Sequence, residues 1–212
     1  MKFLFILIIM GYPLLSKCQE TKNYYKNGQI SRISNGNNGI CKEYYDNGQP
    51  RSEGYYKEGV KDSIWKSWSE YDGSLSLTYY DSSVIKNIKT YFLNGNIRVD
   101  YNYSESHIRN GLCREWYDNG QLKEEKYFNL GRCVNSLGWH IDGALRFETT
   151  YTEGIETTKA YFPSGQLSRT YSKKYNKLNG QDKRWHENGR LKQESNYLDG
   201  KANGNSKWWN EK

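Results

Sequence analysis

The sequence predicts an all-β protein: a repeat array of about eight antiparallel β-hairpins forming one long meandering, twisted sheet. Three observations predict it. Glycines recur at Gly28, Gly48, Gly73, Gly95, Gly120, Gly143, Gly165 and Gly189, separated by 20, 25, 22, 25, 23, 22 and 24 residues. A fixed period in this range marks a repeat architecture. Each glycine but Gly73 is preceded by an aromatic or aromatic-histidine pair, such as Tyr44-Tyr45, Tyr91-Phe92, Trp116-Tyr117 and Trp139-His140. Each is followed by residues with strand-like period two.

Composition is consistent with this reading. Hydrophobic content is only 35%, a level that alone suggests disorder, but 20 Tyr and 7 Trp recur in register. Aromatic rings suit a pleated, half-buried surface and bury large area each. Only 3 Pro interrupt the chain, as hydrogen-bonded strands require.

Residues 1–18 read as a leader. Met1-Lys2 is a short basic start, Phe3 to Leu15 is almost wholly apolar, and Ser16-Lys17-Cys18-Gln19 changes character abruptly. An apolar run of about 13 residues suits a signal peptide better than a membrane span. The expectation is export, with a mature chain starting near Gln19. A rival reading makes Leu15-Ser16-Lys17-Cys18 a lipid-attachment site with Cys18 lipidated, and an uncleaved anchor is a third. Residues 19–212 form the array. Cys41, Cys113 and Cys133 remain, an odd number that argues against a disulfide framework. They are expected to be buried free thiols.

The units run in chain order. The first is short, Tyr24 to Ile33, with a polar loop at 34–38. Unit two spans 39–62. Unit three spans 63–85 and has an extra turn residue before Gly73. Unit four spans 86–110 and is expected to end in a long polar linker through Ser104, Ser106 and Asn110. Units five to eight span 111–135, 136–156, 157–179 and 180–203. Trp208-Trp209 opens a ninth copy, read as a terminal cap.

Pro163, ahead of Ser164-Gly165, selects a type I turn with the glycine left-handed in a G1 bulge. That geometry puts Trp116 opposite Leu122 and Tyr117 opposite Gln121. Counting from each glycine, position +2 (Ile30, Leu122, Leu191) and the later even positions (Tyr56, Tyr101, Phe128, Phe147, Tyr151, Tyr171) are expected on one apolar face. Position +3 is a cation in Arg51, Arg98, Lys123, Arg146 and Lys192. Position +5 is an acid in Glu53, Asp100, Glu125, Glu148 and Glu194. Two neighbouring, self-neutralising rows are expected, with Glu43 opposite Arg51 and Glu115 opposite Lys123. The formal charge of +7 is therefore read as a solvated surface rather than a nucleic-acid stripe.

The segment from Gly111 to Lys123 resembles the MORN-repeat variant found in YwqK-type antitoxin proteins, and Gly180 to Lys192 is a second close copy. The resemblance covers roughly residues 24–212. It implies consecutive hairpins in one sheet and carries over no catalytic residue. Related MORN repeats act as protein scaffolds and some bind phospholipid, so the implied partner is another protein, with a membrane surface or a toxin as alternatives.

The search for chemistry ends without a catalytic constellation. There is no phosphate-cradling loop and no metal-binding motif, so no cofactor, metal or small-molecule substrate is expected. His140 and His186 read as ring substitutes in the second aromatic position, because a metal site needs three or four converging ligands. His107 falls in the linker. Asn102-Tyr103-Ser104 is a glycosylation sequon. The candidate interaction residues are Tyr45, Phe92, Tyr117, Phe162, Trp208 and Trp209.

Overall fold

The computed structural model describes residues 20–212. The leader and its Cys18 lie outside the described residues. The strands are β1 Thr21–Tyr24, β2 Ile30–Ser34, β3 Gly39–Tyr44, β4 Pro50–Lys57, β5 Val60–Trp68, β6 Leu75–Asp81, β7 Val84–Tyr91, β8 Ile97–Tyr103, β9 Arg109–Trp116 and β10 Leu122–Asn129. They continue as β11 Arg132–Trp139, β12 Leu145–Thr152, β13 Ile155–Tyr161, β14 Leu167–Lys174, β15 Lys177–Leu178, β16 Gly180–Trp185, β17 Leu191–Leu198, β18 Lys201–Ala202 and β19 Lys207–Trp208. All belong to one antiparallel sheet, which meanders in chain order and does not close. β14 pairs with both β15 and β16, and β17 with both β18 and β19.

Tyr117 N–H donates to Gln121 O at 2.9 Å and Gly120 N–H to Tyr117 O at 3.0 Å. This is a type I turn closed by a left-handed residue, and Gly120 takes φ +87°. The pattern recurs at Gly28, Gly48, Gly95, Gly143, Gly165 and Gly189. Leu122 pairs with Trp116, and then the register slips, so that Glu124 pairs with Glu115. Lys123 is the extra residue of a bulge just beyond the turn. The same slip occurs in every turn-glycine hairpin except unit three. There Trp68 pairs with Leu75 and Ser67 with Ser76 without interruption. Ser67 and Ser76 enclose eight residues, as Glu115 and Glu124 do, so the extra turn residue of unit three takes the place of the bulge.

The bulge corrects two expectations. A residue inserted between +2 and +4 reverses which side later side chains face. Position +2 therefore lies on the opposite face from Tyr101, Phe128, Phe147 and Tyr171. Glu43 meets Ser52 rather than Arg51, and Glu115 meets Glu124 rather than Lys123.

A second family of turns joins successive hairpins. Glu58-Gly59, Ser82-Ser83, Leu130-Gly131, Glu153-Gly154, Tyr175-Asn176 and Asp199-Gly200 all have positive φ at both residues, which defines two-residue type I′ turns. The linker expected at the end of unit four is instead a tight turn, Ser104 to His107, between β8 and β9. Its bonds are Ser104 N–H to Ile108 O at 2.9 Å and His107 N–H to Ser104 O at 3.0 Å, and His107 occupies the left-handed position at φ +59°.

The core is a line. Cys41, Trp65, Cys113, Ser136, Thr149, Thr158, Asp182 and Ser195 are the buried side chains among the described residues. They sit on one row across the sheet, traced by pairs such as Cys113 with Lys126, Lys126 with Ser136, Ser136 with Thr149 and Thr149 with Thr158. Cys41 and Cys113 are buried and free, and Cys133 is free and half-buried. Gly54 and Gly138 let rings lie against the backbone: a Cβ would stand 2.2 Å from Trp65 at Gly54 and 2.3 Å from Phe147 at Gly138.

Candidate interaction face

The two faces of the sheet carry charge differently. On one, each +5 acid meets a cation directly across the ladder: Lys42 with Glu53 at 3.8 Å, Lys89 with Asp100 at 3.4 Å, Arg114 with Glu125 at 2.7 Å, Lys159 with Glu148 at 2.9 Å and Lys183 with Glu194 at 3.6 Å. This ion-pair face neutralises itself, but not with the +3 cations.

The other is a ring face, where cations stack on aromatics. Lys61 lies 4.1 Å from the Trp65 ring centroid, Arg109 4.1 Å from Tyr101 and Arg169 4.3 Å from Tyr171. Such contacts contribute about 0.5–1 kcal/mol at exposed sites. Three +3 cations cover the second aromatic of their own unit: Arg51 over Tyr45 at 6.0 Å, Arg98 over Phe92 at 5.7 Å and Lys123 over Tyr117 at 5.8 Å. The bulge re-aims these cations, so the two rows expected side by side are separated.

The second aromatic position also staples neighbouring repeats. Tyr25 OH donates to Tyr44 O at 2.7 Å, Tyr45 OH to Trp68 O at 2.7 Å and Tyr117 OH to Trp139 O at 2.9 Å. The Nε2 atoms of His140 and His186 reach Tyr161 O and Trp209 O at 3.4 and 3.0 Å. Histidine thus keeps the hydrogen bond of tyrosine as well as its ring. Turn asparagines act similarly: Asn119 accepts from Gln121 N–H at 3.0 Å and donates to Ile141 O of the next unit at 3.4 Å.

Phe92 and Tyr117 come together in a cleft of about 470 Å³ with Arg98, Asp118 and Lys123. Tyr45 lines a separate cleft with Tyr25, Asp46, Arg51 and Glu70. Phe162 lies half-buried beside its own turn. Trp208 and Trp209 are 67% and 41% exposed at the last strand. The six candidates therefore form no single site.

A further feature has no counterpart among them. A trough of about 420 Å³ crosses units five to seven on the ring face, with Ser136, Thr149, Thr158 and Ala160 among its lining residues. Arg146, Phe147, Tyr151 and Tyr171 also line it, as do Glu124, Lys126 and Glu156. Thr149 and Thr158 hydroxyls bond each other at 2.9 Å. Burial, with the nearby Cys133 thiol and Glu156, pushes the Tyr151 phenol up to about 12, so it stays neutral. Burial likewise raises the thiols of Cys113 and Cys133, which disfavours the nucleophilic thiolate. Among the described residues no group of three or more His, Cys, Asp or Glu could hold a metal ion.

The hairpin sheet, stapled from repeat to repeat, defines a repeat protein with open faces for binding. The family model of the MORN repeat variant matches residues 37–58, 109–130 and 178–199, so the chain carries MORN-variant repeats there. Comparison with curated proteins returns no match. The matched stretches coincide with a structural unit. The residue just past each end donates its N–H to the carbonyl of the residue at its start: Gly59 to Asn37 at 2.8 Å, Gly131 to Arg109 at 2.9 Å and Gly200 to Leu178 at 2.8 Å. MORN repeats serve generally as non-enzymatic scaffolds for protein or membrane binding.

Proposed function

We propose that this protein is an exported, non-catalytic scaffold that holds another protein on its ring face. The observation that carries the proposal is the contrast between the faces: cross-strand ion pairs on one, and on the other cations stacked on aromatic rings, only some of them also ion-paired. Aromatic residues and arginine dominate protein recognition hot spots. Export rests on the apolar leader. The test is crosslinking and capture of the partner from the native host. Reversing charge at Arg51, Arg98 and Lys123 should release the captured protein, while reversing Lys89 and Arg114 on the ion-pair face should retain it. Equal retention in both variants overturns the assignment to the ring face.

The ring-face cations also favour a second reading, an anionic membrane surface as the ligand. Sedimentation with phosphatidylserine vesicles over a salt series tests it, and absence of binding at low salt ends it. In the antitoxin reading the partner is one dedicated toxin, and a toxin-like neighbour in the genome supports that version.

A further inference from the structure

We infer that the trough across units five to seven is a docking site for an extended peptide segment carrying a single acidic side chain, with its carboxylate on Arg146. The inference rests on the protein-binding reading above and names the chemistry of its contact. Arg146 is the bulge residue of unit six, between Leu145, paired with Trp139, and Phe147, paired with Gly138. The bulge brings Arg146 and Phe147 together in the trough lining. Arg146 lies over the Phe147 ring at 5.1 Å. It has no ion pair among the described residues, and its Nε is buried without an acceptor. A buried donor left unsatisfied is destabilising, and an incoming acceptor relieves that cost.

The neighbours define the acceptor. Lys126 is held by Glu124 at 2.9 Å and Lys173 by Glu156 at 3.4 Å. Among the described residues, Arg146 is thus the one cation lining the trough without a carboxylate. Glu124 and Glu156 also line the trough, so its charge balance disfavours a doubly charged phosphate and suits one carboxylate. Length selects a peptide. The trough spans five strands, β10 to β14, about 19 Å at ~4.8 Å per strand. That matches about six extended residues at ~3.3 Å each. The sheet's own backbone groups are engaged in the ladder, and Ser136, Thr149 and Thr158 form the buried floor over which a docked segment would lie.

The test uses the full chain and amide chemical shifts of Ser136, Thr149 and Thr158. The probes are a capped hexapeptide with one central Glu among alanines, its Gln twin, glucuronate and inorganic phosphate. The Glu peptide should give saturable shifts with at least tenfold tighter binding than the other three. Arg146→Gln should weaken it at least tenfold, and Arg132→Gln should not. Equal binding of the Glu and Gln peptides overturns the proposal without need of any variant. Equal binding of glucuronate or phosphate also overturns it, because a bare anion then suffices. If the peptide fails while the native partner is still captured through Arg51, Arg98 and Lys123, the trough assignment falls and the scaffold reading stands.

Discussion

Arg169 grips Asp182 with two parallel hydrogen bonds, Nε to Oδ1 at 2.9 Å and Nη2 to Oδ2 at 2.7 Å. Asp182 is only 2% exposed, and Arg184 approaches the same Oδ2 at 3.6 Å. The carboxylate raises the guanidinium pKa further, so Arg169 stays charged. Asp182→Asn should destabilise the protein by roughly 1.5–3 kcal/mol, the usual value for a hydrogen bond to a charged group. Adding Arg169→Met should recover part of the loss, since a charge pair replaced by apolar groups often costs little. Urea denaturation of the single and double variants measures both; a double variant less stable than Asp182→Asn contradicts this account.

Gly120→Ala should cost about 1–2 kcal/mol, because φ +87° is unfavourable for a residue with a Cβ. The space itself is not tight: the nearest atom to an added Cβ is Asn96 Nδ2 at 3.5 Å. Lys123→Ala should cost less, about 0.5–1 kcal/mol, since the half-buried lysine loses its place over the Tyr117 ring. Equal midpoints in denaturant would refute the left-handed turn.

Glu148 accepts from Lys159 Nζ at 2.9 Å and from Tyr161 OH at 2.8 Å, and these bonds hold its pKa below the ordinary carboxylate value. A depressed folded-state pKa gives stability that is present above the unfolded value, near ~4.3. It is lost as pH falls through the lower folded value. Because the pair is largely exposed, the contribution is small and salt-sensitive. Glu148→Gln should flatten part of the acid limb of stability against pH at low salt, and an unchanged limb would contradict the assignment.

Deleting residues 205–212 should deprotect residues 185–200 to hydrogen exchange. Trp208 pairs with Gln193, Trp209 N–H donates to Lys192 O at 3.0 Å, and Ser206 Oγ accepts from Ser195 Oγ at 2.8 Å. The truncation removes these bonds together with that from His186 and bares the edge of β17. Units two to five should stay protected. Equal exchange in both chains would show that β19 caps nothing.

Much of this architecture is legible from Pro163, the turn glycines and the aromatic pairs, because each demands a particular local backbone. The bulge at Lys123 is not, because an inserted strand residue leaves composition and spacing unchanged while reversing the face of every later side chain in the strand. Without the bulge the +3 cations fall on the wrong face and Arg146 falls outside the trough lining. The type I′ turns were readable: Gly59, Gly131, Gly154 and Gly200 each fall 11 residues after a turn glycine. The staples were partly readable too, since Tyr and His share the second position and both donate.

The constant eight residues between Ser67 and Ser76, and between Glu115 and Glu124, make each hairpin tolerant of where its surplus residue resides. That residue can sit in the turn, as in unit three, or in the strand, as in unit five, and the neighbours register no difference. A hairpin can therefore trade a side chain aimed at the ring face for one at the loop tip. Recognition residues can appear or vanish along the sheet without rephasing a single strand beyond them.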